Sequence, residues 1–246
     1  MRIRTLVTTA AVSLALVAGG VAAPVAAVAP PVALDVSQVP ANVSYGASCT
    51  TVVFPVTIYG GAPDGDYSIT GSLTNGSATP TSVSTYGMDP AARDVAGVPQ
   101  QAGAFICSSS FTPGAQTLTL VLKDYENVDA AYNPTTTQYV VPVFFKSTDT
   151  QIDLNTYKVK GKKATLKGSI SKWAKGKKVY LYTAKKGSSK YKKLASATVK
   201  IDKYGYGTYT FKLKKKLAVG TKAYAKFKGS TILSAKNSVK GKIVRR

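Results

Sequence analysis

Two cysteines, a few carboxylates and a long alternation of lysine with tyrosine are the residues of this chain that could do chemistry. Its 246 residues include no histidine, which excludes His-based catalytic triads and the usual His-containing metal sites. A serine nucleophile would then need a lysine base, and no motif marks one Ser/Lys pair above the many others. Cys49 and Cys107 are the only cysteines. Beside the export signal described below, an even pair reads as a disulfide. Closing a loop of roughly 58 residues would stabilise the fold by about 4 kcal/mol in the chain-entropy account. No free thiol would then remain to act as a nucleophile.

The carboxylates are equally modest. Asp64 and Asp66 flank a glycine in "PDGDY", which suits a turn. Asp124, Glu126 and Asp129 in "KDYENVD" suit a solvated loop following a strand. Two carboxylates can cleave glycosides and clustered ones can hold calcium. Short β modules offer no cleft-forming insertion for this beyond residues 80–102. The expectation is a non-enzyme with no cofactor and no metal.

Thr208 to Gly229 reads "TYTFKLKKKLAVGTKAYAKFKG". Successive residues of a strand point to opposite faces. Tyr209, Phe211 and Leu213 therefore share one side, and Lys212 and Lys214 the other. Ala223, Ala225 and Phe227 point one way, with Lys222, Tyr224, Lys226 and Lys228 opposite. Val179 and Leu181 go inward and leave Tyr180 and Tyr182 outside. If the two strands pair, Lys212, Lys214, Lys222, Lys226 and Lys228 share one patch with Tyr224. Lysines on a sheet's outer face keep it soluble and block edge pairing. That explains only part of their number. Residues 150–246 hold 28 Lys and Arg against Asp153 and Asp202, a net +26, while residues 28–149 carry −6. Such an excess repels itself and exceeds what solubility needs, so it implicates a polyanionic partner. Aromatic faces beside ammonium groups suit phosphate-linked polymers or sugars. Lysine fixes no forked geometry, so contact would be broad and charge-driven.

The elements that must carry these residues follow from the rest of the chain. Arg2 and Arg4 precede the small-residue apolar run "TLVTTAAVSLALVAGGVAA". This reads as a secretory signal over residues 1–27, cut near Ala27. No second apolar run of spanning length follows, so no membrane span is expected after cleavage. The C-terminal "GKIVRR" lacks a sorting signal for covalent wall attachment. Export makes chromosomal DNA a poor partner and an acidic wall polymer a better one. The expected location is secreted and associated with the cell wall, as a monomer.

Beyond the signal, period-two alternation is everywhere and helical periodicity is absent. Strands are expected near residues 50–58, 67–73, 103–108, 116–122 and 138–146. A second series is expected at 155–160, 163–171, 177–184, 191–201, 207–214, 221–229 and 237–244. Turn-rich stretches separate them, as in antiparallel β-sandwiches. The polar "KSTDTQ" at 146–151 marks a boundary. The fold class is all-β, with a disulfide-containing acidic sandwich over 34–147 and a lysine-rich one over 152–246. Residues 80–102 are the irregular part.

"GKKVYLYTAKKGSSKYKKLASATVKIDKYGYGTYTFKL", followed by "VGTKAYAKFKGSTILSAKNSVKGKIV", resembles the bacterial immunoglobulin-like repeats of secreted actinobacterial proteins. The shared elements are G-K-x-V-x-L before a Lys/Gly turn, an A-T-V strand, G-x-Y-x-F opening the next, then G-T and a strand ending in Gly. The resemblance covers residues 155–246 and is weaker over 34–147. It implies two tandem immunoglobulin-like antiparallel sandwiches used as spacer, stalk or adhesive units, and brings no catalytic residues. In the first module, Phe105-Ile-Cys107 resembles the Y-x-C of the second disulfide strand, but two long strands follow it where the antibody pattern has one. The antibody-type strand assignment is therefore dropped there. The functional expectation is an exported, non-enzymatic envelope protein whose lysine-rich module binds acidic wall polymers and whose first module is displayed outward. The alternative is a carbohydrate-binding or accessory module for a secreted enzyme.

Overall fold

A computed structural model describes residues 31–46, 48–61, 66–76, 80–85, 99–108, 110–128, 133–160 and 162–243. The expected signal, Asp64, Asp129 and residues 86–98 of the irregular stretch lie outside them.

The N-terminal half contains β1 (Ala33–Asp35), β2 (Asn42–Tyr45), β3 (Cys49–Tyr59), β4 (Tyr67–Thr74), β5 (Thr81–Thr85), β6 (Pro99–Cys107), β7 (Gly114–Val128) and β8 (Pro134–Ser147). The C-terminal half contains β9 (Asp153–Lys160), β10 (Lys163–Ile170), β11 (Lys178–Ala184), β12 (Lys192–Thr198), β13 (Lys200–Ile201), β14 (Gly207–Leu213) and β15 (Lys222–Phe227), with the short β16 (Lys236–Asn237) and β17 (Gly241–Lys242). The one helical element among the described residues is a 3-10 turn at Lys172–Ala174. The fold is all-β.

In the N-terminal half the strands hydrogen-bond in the order β1-β3-β6-β5-β4-β7-β8-β2. Every pair is antiparallel except β2 with β8, which run parallel from Asn42 opposite Phe144 to Tyr45 opposite Ser147. β3 shows why the sequence chooses this form. Val52, Phe54, Val56 and Ile58 alternate inward and are buried, and their neighbours face out. They join Ile69, Leu73, Leu118, Leu120, Leu122 and Phe145 in one cluster. Phe145 is its aromatic hub, with Phe111 at 4.9 Å and Phe54 at 6.5 Å between ring centroids, both edge to face. Each such buried side chain contributes about 1.5–3 kcal/mol through water exclusion.

The C-terminal half is a sandwich. One sheet has the order β13-β14-β10-β9 and the other β12-β11-β15-β16, with β17 also on β15. The inward set is the one that alternation assigns. Tyr209, Phe211 and Leu213 on β14 meet Val179 and Leu181 on β11 and Ala223, Ala225 and Phe227 on β15, all buried. This cluster and the first share no residue.

One expected pairing is corrected. β14 and β15 are consecutive in sequence but lie in opposite sheets: β14 pairs with β10 and β13, β15 with β11, β16 and β17. Lys212 and Lys214 therefore do not share a patch with Lys222, Lys226 and Lys228. Both strands bury one face on a common core, and that core is the filling between two sheets. The alternation specifies which side chains face inward and says nothing about which strand lies alongside.

The polar boundary segment is ordered by its own hydrogen bonds. Thr148 N and Oγ1 donate to Tyr45 O at 2.8 and 2.9 Å. Ser147 N donates to Ile232 O and Ser234 N to Ser147 O, both at 3.0 Å, and Thr150 Oγ1 donates to Ser234 O at 2.6 Å. Asp149, Thr150 and Ile152 are buried. The composition of "KSTDTQ" suggests an exposed joint; instead its hydroxyls satisfy backbone groups from both halves.

Candidate functional site

The outer face of the β12-β11-β15-β16 sheet is where the tyrosines and lysines converge. Register builds it. β11 and β15 set Tyr180 opposite Lys226, Tyr182 opposite Tyr224 and Ala184 opposite Lys222. β12 adds Lys193 opposite Tyr182. Directly opposed residues in an antiparallel pair have Cβ atoms about 5 Å apart, close enough for rings to touch. Tyr182 and Tyr224 stack, with centroids 5.3 Å apart and planes 10° from parallel. Tyr191 closes on Tyr224 edge-on at 5.0 Å.

The lysines lie over these rings. Lys193 Nζ is 4.4 Å and Lys228 Nζ 5.3 Å from the Tyr180 centroid. Lys240 Nζ is 5.4 Å from that of Tyr191. Each contact contributes about 0.5–1 kcal/mol at an exposed site and restricts the ammonium group's position. The Tyr224 hydroxyl is pushed up from its ordinary pKa by partial burial, then by the neighbouring Tyr182 and Tyr191 phenols. Residues 177–201 and 221–243, which build this sheet and its turns, contain no Asp or Glu. The face is cationic and aromatic without internal neutralisation.

Five of the eight residues named from sequence stand on this sheet's strands: Tyr180, Tyr182, Tyr224, Lys222 and Lys226. Lys228 joins them through Tyr180. Lys212 is exposed on β14 and Lys214 is exposed just past it, on the other sheet. Sequence reasoning missed Tyr191, Lys193 and Lys240. Lys193 was hidden by the register shift between Leu181 and Tyr182, which moves β12 by one place against β11. Tyr191 and Lys240 fall in segments read as strands from sequence but stand outside the observed ones, Tyr191 just before β12 and Lys240 between β16 and β17.

The other candidates are placed as follows. Cys49 and Cys107 are bonded, with Cα atoms 3.9 Å apart. They sit directly opposite each other on β3 and β6, so the bond joins neighbouring strands of one sheet. Of the carboxylates read as a solvated loop, Asp124 is corrected. β7 continues to Val128, and Asp124 is buried within it opposite Tyr67 on β4. Among the described residues no group of three or more Cys, Asp or Glu side chains could hold a metal ion.

No protein-family model matches the chain, and no curated protein matches it. Among solved structures it is similar to bovine butyrophilin, at 8% identity over 88% of this chain and 100% of that one, with a TM-score of 0.42. It is also similar to the YadV chaperone, at 10% identity over 86% of this chain and 99% of that one, with a TM-score of 0.29.

Proposed function

We propose that this is an exported, non-enzymatic envelope protein. Its lysine-rich half binds acidic wall polymers through the outer face of the β12-β11-β15-β16 sheet, and its disulfide-bonded half is displayed outward. The observation that carries the reading is the merging of Tyr180, Tyr182, Tyr191 and Tyr224 with Lys193, Lys226, Lys228 and Lys240 on a sheet without carboxylates. The chemistry fits a chain of phosphates or carboxylates linked by short apolar or sugar segments. Ammonium groups neutralise the charges, and the tyrosine stack takes the links between them.

Retention on purified teichoic acid across a salt series tests it. Affinity from counterion release falls linearly in log–log form as salt rises. The triple variant Lys193→Gln, Lys226→Gln, Lys228→Gln should lose retention and flatten the salt slope by about 3. Lys212→Gln with Lys214→Gln, on the opposite sheet, should bind nearly as the parent does. Salt-insensitive retention, or equal losses in both variants, would remove this face as the site.

A further inference from the structure

The sheet edges of this molecule are guarded, with one exception. In the C-terminal half the edge strands are β9, β12, β13 and β16, and each carries lysine. In the N-terminal half β1 and β2 end the strand order and are three and four residues long. Charge and brevity both keep an edge from pairing with another chain. β8 has neither guard. β2 covers it only from Phe144 to Ser147, and among the described residues nothing pairs with the outer edge of the stretch before that. Pro134 to Phe145 hold no charged residue. Their threonines, valines and Tyr139 suit extended backbone.

The direction of the amides follows from the two ends of this stretch. Phe144 N donates to Ala41 O at 2.8 Å, on the β2 side. Successive backbone groups of a strand address opposite edges, so Val140, Gln138 and Thr136 present N–H and C=O on that same side. Pro142, opposite Thr117 of β7, agrees: proline is tolerated in a sheet where its missing N–H faces away from the neighbouring strand. Val140 is 60% exposed, and Thr136 and Gln138 are exposed too.

We propose that this edge takes a second copy of the chain, with β8 pairing antiparallel to β8 across a two-fold axis at Gln138. Thr136 then faces Val140 of the second copy, and Gln138 faces its own symmetry mate. Directly opposed residues of this kind exchange two N–H···O bonds, giving about six in all. The prolines fix the register. Moving the axis by two residues in either direction sets Pro134 or Pro142 opposite Gln138 and forfeits donors. A two-fold contact must tolerate itself, and the uncharged segment does. The antiparallel arrangement also sends the two basic halves apart. Ser147, where each chain leaves β8, lies about 30 Å from the axis at roughly 3.3 Å per residue. The two +26 segments therefore diverge from points about 60 Å apart, far beyond the Debye length of about 8 Å at physiological salt.

Analytical ultracentrifugation of the full chain tests the proposal. A concentration-dependent dimer should form below about 100 µM, a level that detects weak association. Val140→Pro removes a donor only from the outer edge, as Pro142 already does. It should abolish the dimer and keep the parent's circular dichroism. Gln138→Lys sets two ammonium groups opposite each other at the axis and should weaken the dimer by about tenfold or more, less so at high salt. This variant carries the test should the proline variant fail to fold. Gln138→Cys should cross-link on oxidation, because its Cα atoms would lie about 5.5 Å apart. Thr136→Cys should not, with about 14 Å between its symmetry mates. Monomer alone up to about 100 µM would overturn the proposal, even if the edge took an unrelated strand. A dimer that survives Gln138→Lys unweakened, or that cross-links equally through both cysteine variants, would overturn it too.

Discussion

Tyr45 and Tyr209 are tyrosines whose hydroxyls the fold has enclosed. Burial, opposed by the Ser147 hydrogen bond and aided by the Asp149 charge, leaves the Tyr45 hydroxyl pushed up to about 12. Burial, then Asp153, raises that of Tyr209 further. An unfolded tyrosine loses its proton near pH 10, as the reference value of about 10 requires. Above that pH the unfolded chain binds fewer protons than the folded one. The stability from these two groups is full below about pH 10 and is lost as pH rises through the raised values. Urea midpoints should therefore fall steeply between about pH 10 and 12, and Tyr45→Phe should flatten the fall. Tyr209→Phe should flatten it as well, at a cost near neutrality of about 1 kcal/mol, because its hydroxyl donates to Asp153 O. The alternation of "TYTFKL" is enough to send Tyr209 inward. It gives no sign of the notch at Gly168, where a Cβ would lie 2.3 Å from that hydroxyl. A close approach between residues 41 positions apart leaves no local pattern.

At the scale of strands, the disulfide reinforces a pairing that nine register positions already hold, from Cys49 opposite Cys107 to Thr57 opposite Pro99. Replacing both cysteines with alanine should leave the far-ultraviolet circular dichroism unchanged. It should lower the unfolding free energy by about 4 kcal/mol, read from urea midpoints, through a less restricted unfolded chain. A loss of sheet signal would show instead that the bond specifies the register. Strands with long runs of alternation were legible: β3, β4, β10, β11, β14 and β15 fall within a residue or two of expectation. β1, β2 and β5 were not, being three to five residues long. β2 exists because its backbone can join the edge of β8, and such a parallel pairing has no turn to announce it. β7 overran its expected end because "KDYENV" is polar on both faces. Its hairpin partner β8 holds it extended as far as Val128 opposite Pro134.

Across the whole molecule, the division of charge was written in composition alone and needs no fold to be seen. What composition hid is where the two acids of the basic half would go. They meet Asp149 across a joint made by the segment that reads as a linker. Burial of that segment depends on acceptors at Tyr45, Ile232 and Ser234, which no window of sequence contains together. The parallel pairing of β2 with β8 has a mechanical consequence. Tension that pulls the start of β2 and the end of β8 apart drives the two strands along each other. Their hydrogen bonds must then yield together, in shear, and cannot unzip one by one. Beyond Ser147, where this clamp ends, the same load passes into the bonds at Ile232 and Ser234. Stretched as a single molecule, the N-terminal half should resist with a sharp force peak. Pro substituted at Val43 should abolish that peak by blocking the clamp.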